Sequence, residues 1–135
     1  MADDLLLEIV TPEKLSVNTQ VEEVTIPGTE GEFGVLRGHA SLLTSIEIGE
    51  LSYLKEGKRT SFAVETGYAE ILSSKVTVLV ESAEHTNDID KGRAMKIKED
   101  AEAKLAKMSK EDPDYEKLRK SLSLAELKLR VADRG

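Results

Sequence analysis

The sequence predicts a β + α protein: an N-terminal antiparallel β-sandwich over residues 1–86 and a C-terminal antiparallel two-helix hairpin over residues 87–135. Three observations carry this. From Leu5 to about Ala83, short β-branched and aliphatic runs alternate with Pro, Gly and Ser turn signals, the texture of a sandwich or barrel. Beyond residue 87 the apolar residues recur at spacings of three and four, the helical period. The charge balance turns over at the same place. Residues 1–86 carry 6 Lys+Arg against 15 Asp+Glu, a net of −9, whereas residues 87–135 carry 13 against 11, a net of +2.

Each element has its own signal. Leu7–Val10 reads as a strand stopped at Thr11-Pro12, because proline removes a ladder donor. Val21–Ile26 is rich in β-branched residues and closes on the turn pair Pro27-Gly28. Between Gly31 and Thr44, glycines frame Val35-Leu36 and Leu42-Leu43, pieces too short for helices. That stretch reads as tight turns joining strands, with Glu32, Arg37 and His39 standing on loops. Ile46–Ile48 and Leu51–Leu54 follow around Gly49, and Lys55–Lys58 makes a hairpin turn into Arg59–Val64. Tyr68–Leu72 leads through Ser73-Ser74-Lys75 into Val76–Val80.

In the second half, Asn87 reads as a helix N-cap, with Asp88 and Asp90 adding negative charge to the first turn. The first helical stripe is Ala94, Ile97, Ala101, Leu105 and Met108. Ser109–Asp112 breaks it, and Pro113 suits the first helical position behind an Asp112 cap. The second stripe is Tyr115, Leu118, Leu122, Ala125, Leu129 and Ala132. Leu124, Leu127 and Val131 lie off it, available to the sandwich or to another protein.

Composition narrows the function classes. Aromatics are 4% and tryptophan is absent, so the core is aliphatic. Cysteine is absent, which excludes disulfides and thiol chemistry. The opening Met-Ala-Asp-Asp-Leu-Leu-Leu lacks a basic n-region and a long apolar run, so no signal peptide is expected. No segment approaches the roughly 18 apolar residues of a membrane span. A soluble, cytoplasmic protein is expected, peripheral to a membrane complex at most. The acidic half argues against nucleic acid as a partner.

No catalytic constellation emerges. His39 and His85 have no second ligand at metal-binding spacing, no Gly-x-Ser-x-Gly elbow frames Ser41 or Ser45, and no phosphate-binding P-loop is present. One cluster suggests a ligand: Ile89-Asp-Lys-Gly-Arg-Ala94 sets Asp90 and Arg93 three apart, with Glu84 upstream. An arginine there could meet phosphate, and a carboxylate could accept from a ribose or an amino group. The competing reading is a helix-terminal acid beside a solvated arginine. A ligand-binding β-sandwich with a helical tail is the alternative function, although its only aromatics are Phe33, Tyr53, Phe62 and Tyr68.

Taken together, Ile9-Val-Thr-Pro12, Gly31–Thr44, Gly67-Tyr-Ala-Glu70, Val76-Thr-Val-Leu-Val80, Ile89–Ala94 and the two-helix end make the chain resemble the epsilon subunits of bacterial F-type ATP synthases. The resemblance spans nearly the whole length. It implies a non-catalytic rotor subunit of a proton-translocating enzyme, at the cytoplasmic face of the inner membrane and attached only through the complex. The sandwich would bind the gamma shaft and rest on the ring of c subunits, with Glu30, Glu32, Arg37 and His39 at that contact. The hairpin would fold against the sandwich or extend along gamma into the alpha and beta subunits, blocking ATP hydrolysis. Lys117, Arg119, Lys120, Lys128 and Arg130 would meet an acidic segment of beta.

The family pattern also carries onto Ile89, Asp90, Arg93 and Ala94, with Glu84 nearby, as a site for regulatory ATP. Here Asp100 stands where ATP-binding relatives keep an arginine, and a carboxylate repels phosphate; weak binding is expected. Arg37 and Ser41 occupy positions where relatives usually have proline.

Overall fold

The computed structural model describes residues 4–134. Met1–Asp3, the beginning of the segment read above for a signal peptide, and Gly135 lie outside the described residues. Ten strands come first: β1 Leu5–Val10, β2 Leu15–Val21, β3 Glu23–Gly28, β4 Gly31–Val35, β5 Leu42–Ile46, β6 Gly49–Lys55, β7 Lys58–Val64, β8 Gly67–Ile71, β9 Lys75–Val80 and β10 Ala83–His85. A 3₁₀ turn at Thr86–Asp88 precedes helices α1, Lys91–Leu105, and α2, Tyr115–Ala132. Contacts divide the chain into two compact units, Met1–His85 and Thr86–Gly135.

In the first unit the strands follow the order β10-β7-β6-β3-β5-β8-β9-β1-β2, and β4 pairs with β3. The two halves of this sheet join at one residue pair, Gly28 opposite Ile46, so the sheet folds over at that point. Between its halves lies an aliphatic core that includes Leu5, Leu7, Ile9, Val24, Ile26, Leu51, Val64, Ile71, Val76 and Val78. Alternation places these side chains inward: β1 buries every second residue from Leu5, as a strand with one solvated face must. At the far edge the Glu22 amide donates to the Leu54 carbonyl at 2.8 Å, and Lys55 Nζ donates to Thr19 Oγ1.

The sandwich-plus-hairpin class expected from the sequence is present, with corrections. Gly31–Thr44 is not all turn. β4 forms a hairpin with β3 through Thr29 and Glu30, and β5 pairs along its length with β8. Ladder partners stabilise these glycine-rich and short apolar pieces, which have too little alternation of their own to announce a strand. Glu32 therefore stands on a strand. A further strand, Leu15–Val21, lies at the sheet edge, and Val21 and Glu23 belong to separate strands. Pairing is not wholly antiparallel either, since β1 runs parallel to β9. The Lys55–Lys58 hairpin is as expected, with Glu56 at φ 52° and Gly57 at φ 77°, the two positive φ values of a type I′ turn.

In the second unit α1 and α2 pack against each other, and α2 also contacts the 3₁₀ turn. Ala94 and Ala101 are buried on α1, and Ala125, Leu127 and Val131 on α2. Ile97 is 39% exposed, because the row 94, 98, 101, 105 follows the helix axis and residue 97 falls about 60° to one side. Leu127 and Val131, off the expected stripe, are buried, whereas Leu124 is half-buried.

Helix starts also differ from expectation. Asn87 lies in the 3₁₀ turn, and the N-cap of α1 is Asp90. Asp112 Oδ1 accepts from the Asp114 amide at 2.9 Å, so Asp112 caps the turn leading into α2, whose own N-cap Asp114 makes no side-chain capping bond.

Candidate functional site

The glycine-framed stretch forms one end of the sandwich. A cleft of about 580 Å³ opens between the β3–β4 hairpin and β5, lined by Gly28–Phe33 and Leu42–Ser45. Glu30, in the hairpin turn, and Glu32, on β4, border it and are exposed. Thr29 and Ser45 fasten its floor, the Thr29 amide and hydroxyl both donating to the Ser45 carbonyl. Glu32 sits opposite Pro27. Proline has no N–H to give, so this is a non-hydrogen-bonded pair and the Glu32 amide and carbonyl point to the open edge.

Arg37 and His39 do not line this cleft. They stand on the turn between β4 and β5, where the His39 amide donates to the Leu36 carbonyl at 3.1 Å and the Gly38 amide to the Ser73 carbonyl at 2.7 Å. Gly38 has φ 91°, a left-handed conformation that favours glycine. Arg37 Nη1 donates to the Asp4 carbonyl at 3.2 Å, which ties the turn to the chain entering β1. His39 is half-buried. Its Nδ1 lies 2.7 Å from the Ala40 carbonyl and donates there, because a carbonyl oxygen can only accept.

A second surface was not singled out from the sequence. On the outward faces of β5, β8 and β9, Leu43 is 71% exposed, Tyr68 59% and Leu79 52%. Tyr68 pairs across the ladder with Leu79, and Leu79 with Val10 of β1. Beside them is a dimple of about 360 Å³ lined by Val10, Pro12, Tyr68 and Leu79 among others. The signal was present in Val76-Thr-Val-Leu-Val80: the inward residues are valines, the outward position 77 is polar, and the outward position 79 is leucine. Large side chains grouped in this way on a solvated sheet face mark a contact surface.

The ligand-like cluster of the hairpin is built as helix architecture. Asp90 Oδ1 accepts from the Arg93 amide at 3.0 Å, and the Ala94 amide donates to the Asp90 carbonyl at 3.0 Å. Asp90 thus satisfies an orphan donor of the first turn. Ile89 is half-buried, the Arg93 side chain is exposed and Ala94 is buried. Glu84 belongs to the other unit, on β10 opposite Ala63.

The five basic residues of α2 do not share one face. At 100° per residue, Lys117, Lys120 and Lys128 fall on one side of the helix, and Arg119 and Arg130 on the other. Among the described residues, no group of three His, Cys, Asp or Glu side chains could hold a metal ion. No described helix is long and apolar enough to cross a membrane.

These features can be set beside known proteins. The profile described as "ATP synthase, Delta/Epsilon chain, beta-sandwich domain" matches residues 4–86. The profile described as "ATP synthase, Delta/Epsilon chain, long alpha-helix domain" matches residues 87–133. The chain is 45% identical over 135 residues to the ATP synthase epsilon chain of Geobacter sulfurreducens, covering 100% of this chain and 98% of that one. Identity to the ATP synthase epsilon chain of Nitratidesulfovibrio vulgaris is 47% over 131 residues, 97% of each chain. Among solved structures, the mitochondrial ATP synthase of Euglena gracilis in rotational state 1 contains a chain of similar fold. Its TM-score is 0.70 at 24% identity, with 96% of this chain and 78% of that chain covered. A chain in the central stalk and c-ring of the Tetrahymena thermophila enzyme has TM-score 0.62 at 12% identity, covering 95% of this chain and 96% of that chain.

Proposed function

Since the chain belongs to the delta/epsilon chain family of ATP synthase, as a non-catalytic subunit, we propose that it is the rotor subunit coupling the catalytic head to the membrane c-ring. In this reading the sandwich holds the gamma shaft and the c-ring, and the hairpin restrains ATP hydrolysis. The observation that carries it is the outward apolar strip of Tyr68, Leu79 and Val10, adjacent across the ladders of β8, β9 and β1. A sheet face of that kind is covered in use, and a permanent neighbour such as gamma would cover it.

The acidic cleft rim at Glu30 and Glu32, with the turn carrying Arg37 and His39, forms a second and more polar contact, suited to the loops of a c-ring. Membrane attachment then comes through the complex, at the cytoplasmic face. The hairpin meets the alpha and beta subunits through two basic faces of α2, one of lysines and one of arginines. ATP is at most a weak regulatory ligand in this reading, because Asp90 Oδ1 is engaged as a cap and Asp100 adds a carboxylate on α1.

The test is reconstitution with the double variant Tyr68→Glu/Leu79→Asp. Both side chains are exposed, so the variant should keep its far-ultraviolet circular dichroism spectrum. It should fail to copurify with the rest of the ATP synthase, while the wild-type chain is recovered in the complex. Copurification at the wild-type level would contradict the assignment of that face to gamma.

A further inference from the structure

Lys91 and Asp133 meet where α1 begins and α2 stops, with Nζ and Oδ1 2.8 Å apart. Each charge stands at the unfavourable pole of its own helix. Lys91 is the first residue of α1, where unpaired amides already present partial positive charge. Asp133 is the C-cap of α2, where unpaired carbonyls present partial negative charge. Taken singly, each residue opposes the helix that carries it. Because α1 and α2 pack together and run antiparallel, the positive pole of one lies beside the negative pole of the other. There the lysine faces a carboxylate and a C-terminus, and the aspartate faces an ammonium and an N-terminus. The same two residues that disfavour the separate helices favour the pair.

We propose that Lys91 and Asp133 form a conditional clasp that biases the hairpin toward its closed form and weakens as ionic strength rises. Its regulatory meaning rests on the reading above, in which the hairpin has an extended state. The clasp itself is a property of the isolated chain. The side chains are 59% and 71% exposed, so solvent and salt screen the pair and it tips an equilibrium without locking it. A small bias of this kind suits a switch that partners must be able to move.

Charge reversal separates a clasp from a merely local helix effect, because the two predict opposite signs. Lys91→Glu and Asp133→Lys each improve the electrostatics of their own helix terminus but break the pair and set like charges together. In the full-length chain at low ionic strength, each single reversal should speed amide exchange in the last turns of α2 about three- to tenfold. The double variant Lys91→Glu/Asp133→Lys restores an opposite pair and should exchange at the wild-type rate or slower. At about 1 M salt, where the Debye length is about 3 Å, the single variants should converge on wild type.

The clasp is overturned if single reversals leave exchange unchanged or slow it, or if the double variant exchanges as fast as the singles. Failure of the inhibitory reading looks different. Hydrolysis by the complex would then be indifferent to removal of the hairpin, whatever the exchange rates of the intact chain.

Discussion

Gly67 pairs with Ile46 on one side and Val80 on the other, linking β5, β8 and β9. A Cβ placed there would lie 1.9 Å from the Leu79 carbonyl oxygen and 2.7 Å from the Val80 Cα. Both are backbone atoms that cannot swing aside, so Gly67→Ala should destabilise the sandwich by about 3 kcal/mol, toward the upper end of overpacking costs. Gly34 has nothing within 4 Å of its would-be Cβ, and Gly34→Ala should change stability by less than about 1 kcal/mol. Urea midpoints followed through Tyr53 and Tyr68 fluorescence in a Tyr115→Phe background would check the pair, and equal shifts would contradict the packing argument. The sequence marked Gly31, Gly34 and Gly38 as a shaped stretch, but nothing in it distinguished the open Gly34 from the crowded Gly67. That difference is set by the close approach of β9, whose register against β8 no residue type in the sequence announces. Arg37 is similar: its residue type announced a cation near partners, whereas its bond to the Asp4 carbonyl depends on the entry to β1.

Helices and strands differ in how well local signals revealed them. Both helices were readable because a stripe at spacings of three and four is a local property. The start of α1 was placed too early because Asn87, Asp88 and Asp90 are all competent caps, and φ and ψ at Asp90 decide among them. Asp90→Ala should remove about 1 kcal/mol of helix stability and fray the first turn of α1, seen as faster amide exchange at residues 93–95, while Asp90→Asn should retain most of the protection. An Asn variant as frayed as the Ala variant would mean that the charge of Asp90, not its capping oxygen, stabilises the turn. β4 and β5 were hidden for the converse reason: their stability comes from ladder partners, β4 from β3 across a two-residue turn that its glycines disguise, and β5 from β8, more than twenty residues along the chain. The cleft beside Glu30 and Glu32 was therefore unreadable, although the acids themselves were not.

For the whole molecule, the change of charge sign and of apolar period near residue 87 coincides with a change of architecture. Among the described residues, the aliphatic core cluster of the sandwich lies within residues 5–83. Such a division allows one part to hold a position while the other changes its contacts, which is what coupling combined with regulation requires. Family membership accounts for assembly. It leaves the inhibitory role of the hairpin as the central claim, and the most direct measurement of it is ATP hydrolysis by the reconstituted complex carrying the chain truncated after Thr86. The account predicts assembly and ATP synthesis close to wild type, with hydrolysis raised severalfold. Hydrolysis unchanged by the truncation, in a complex that still assembles, would contradict it.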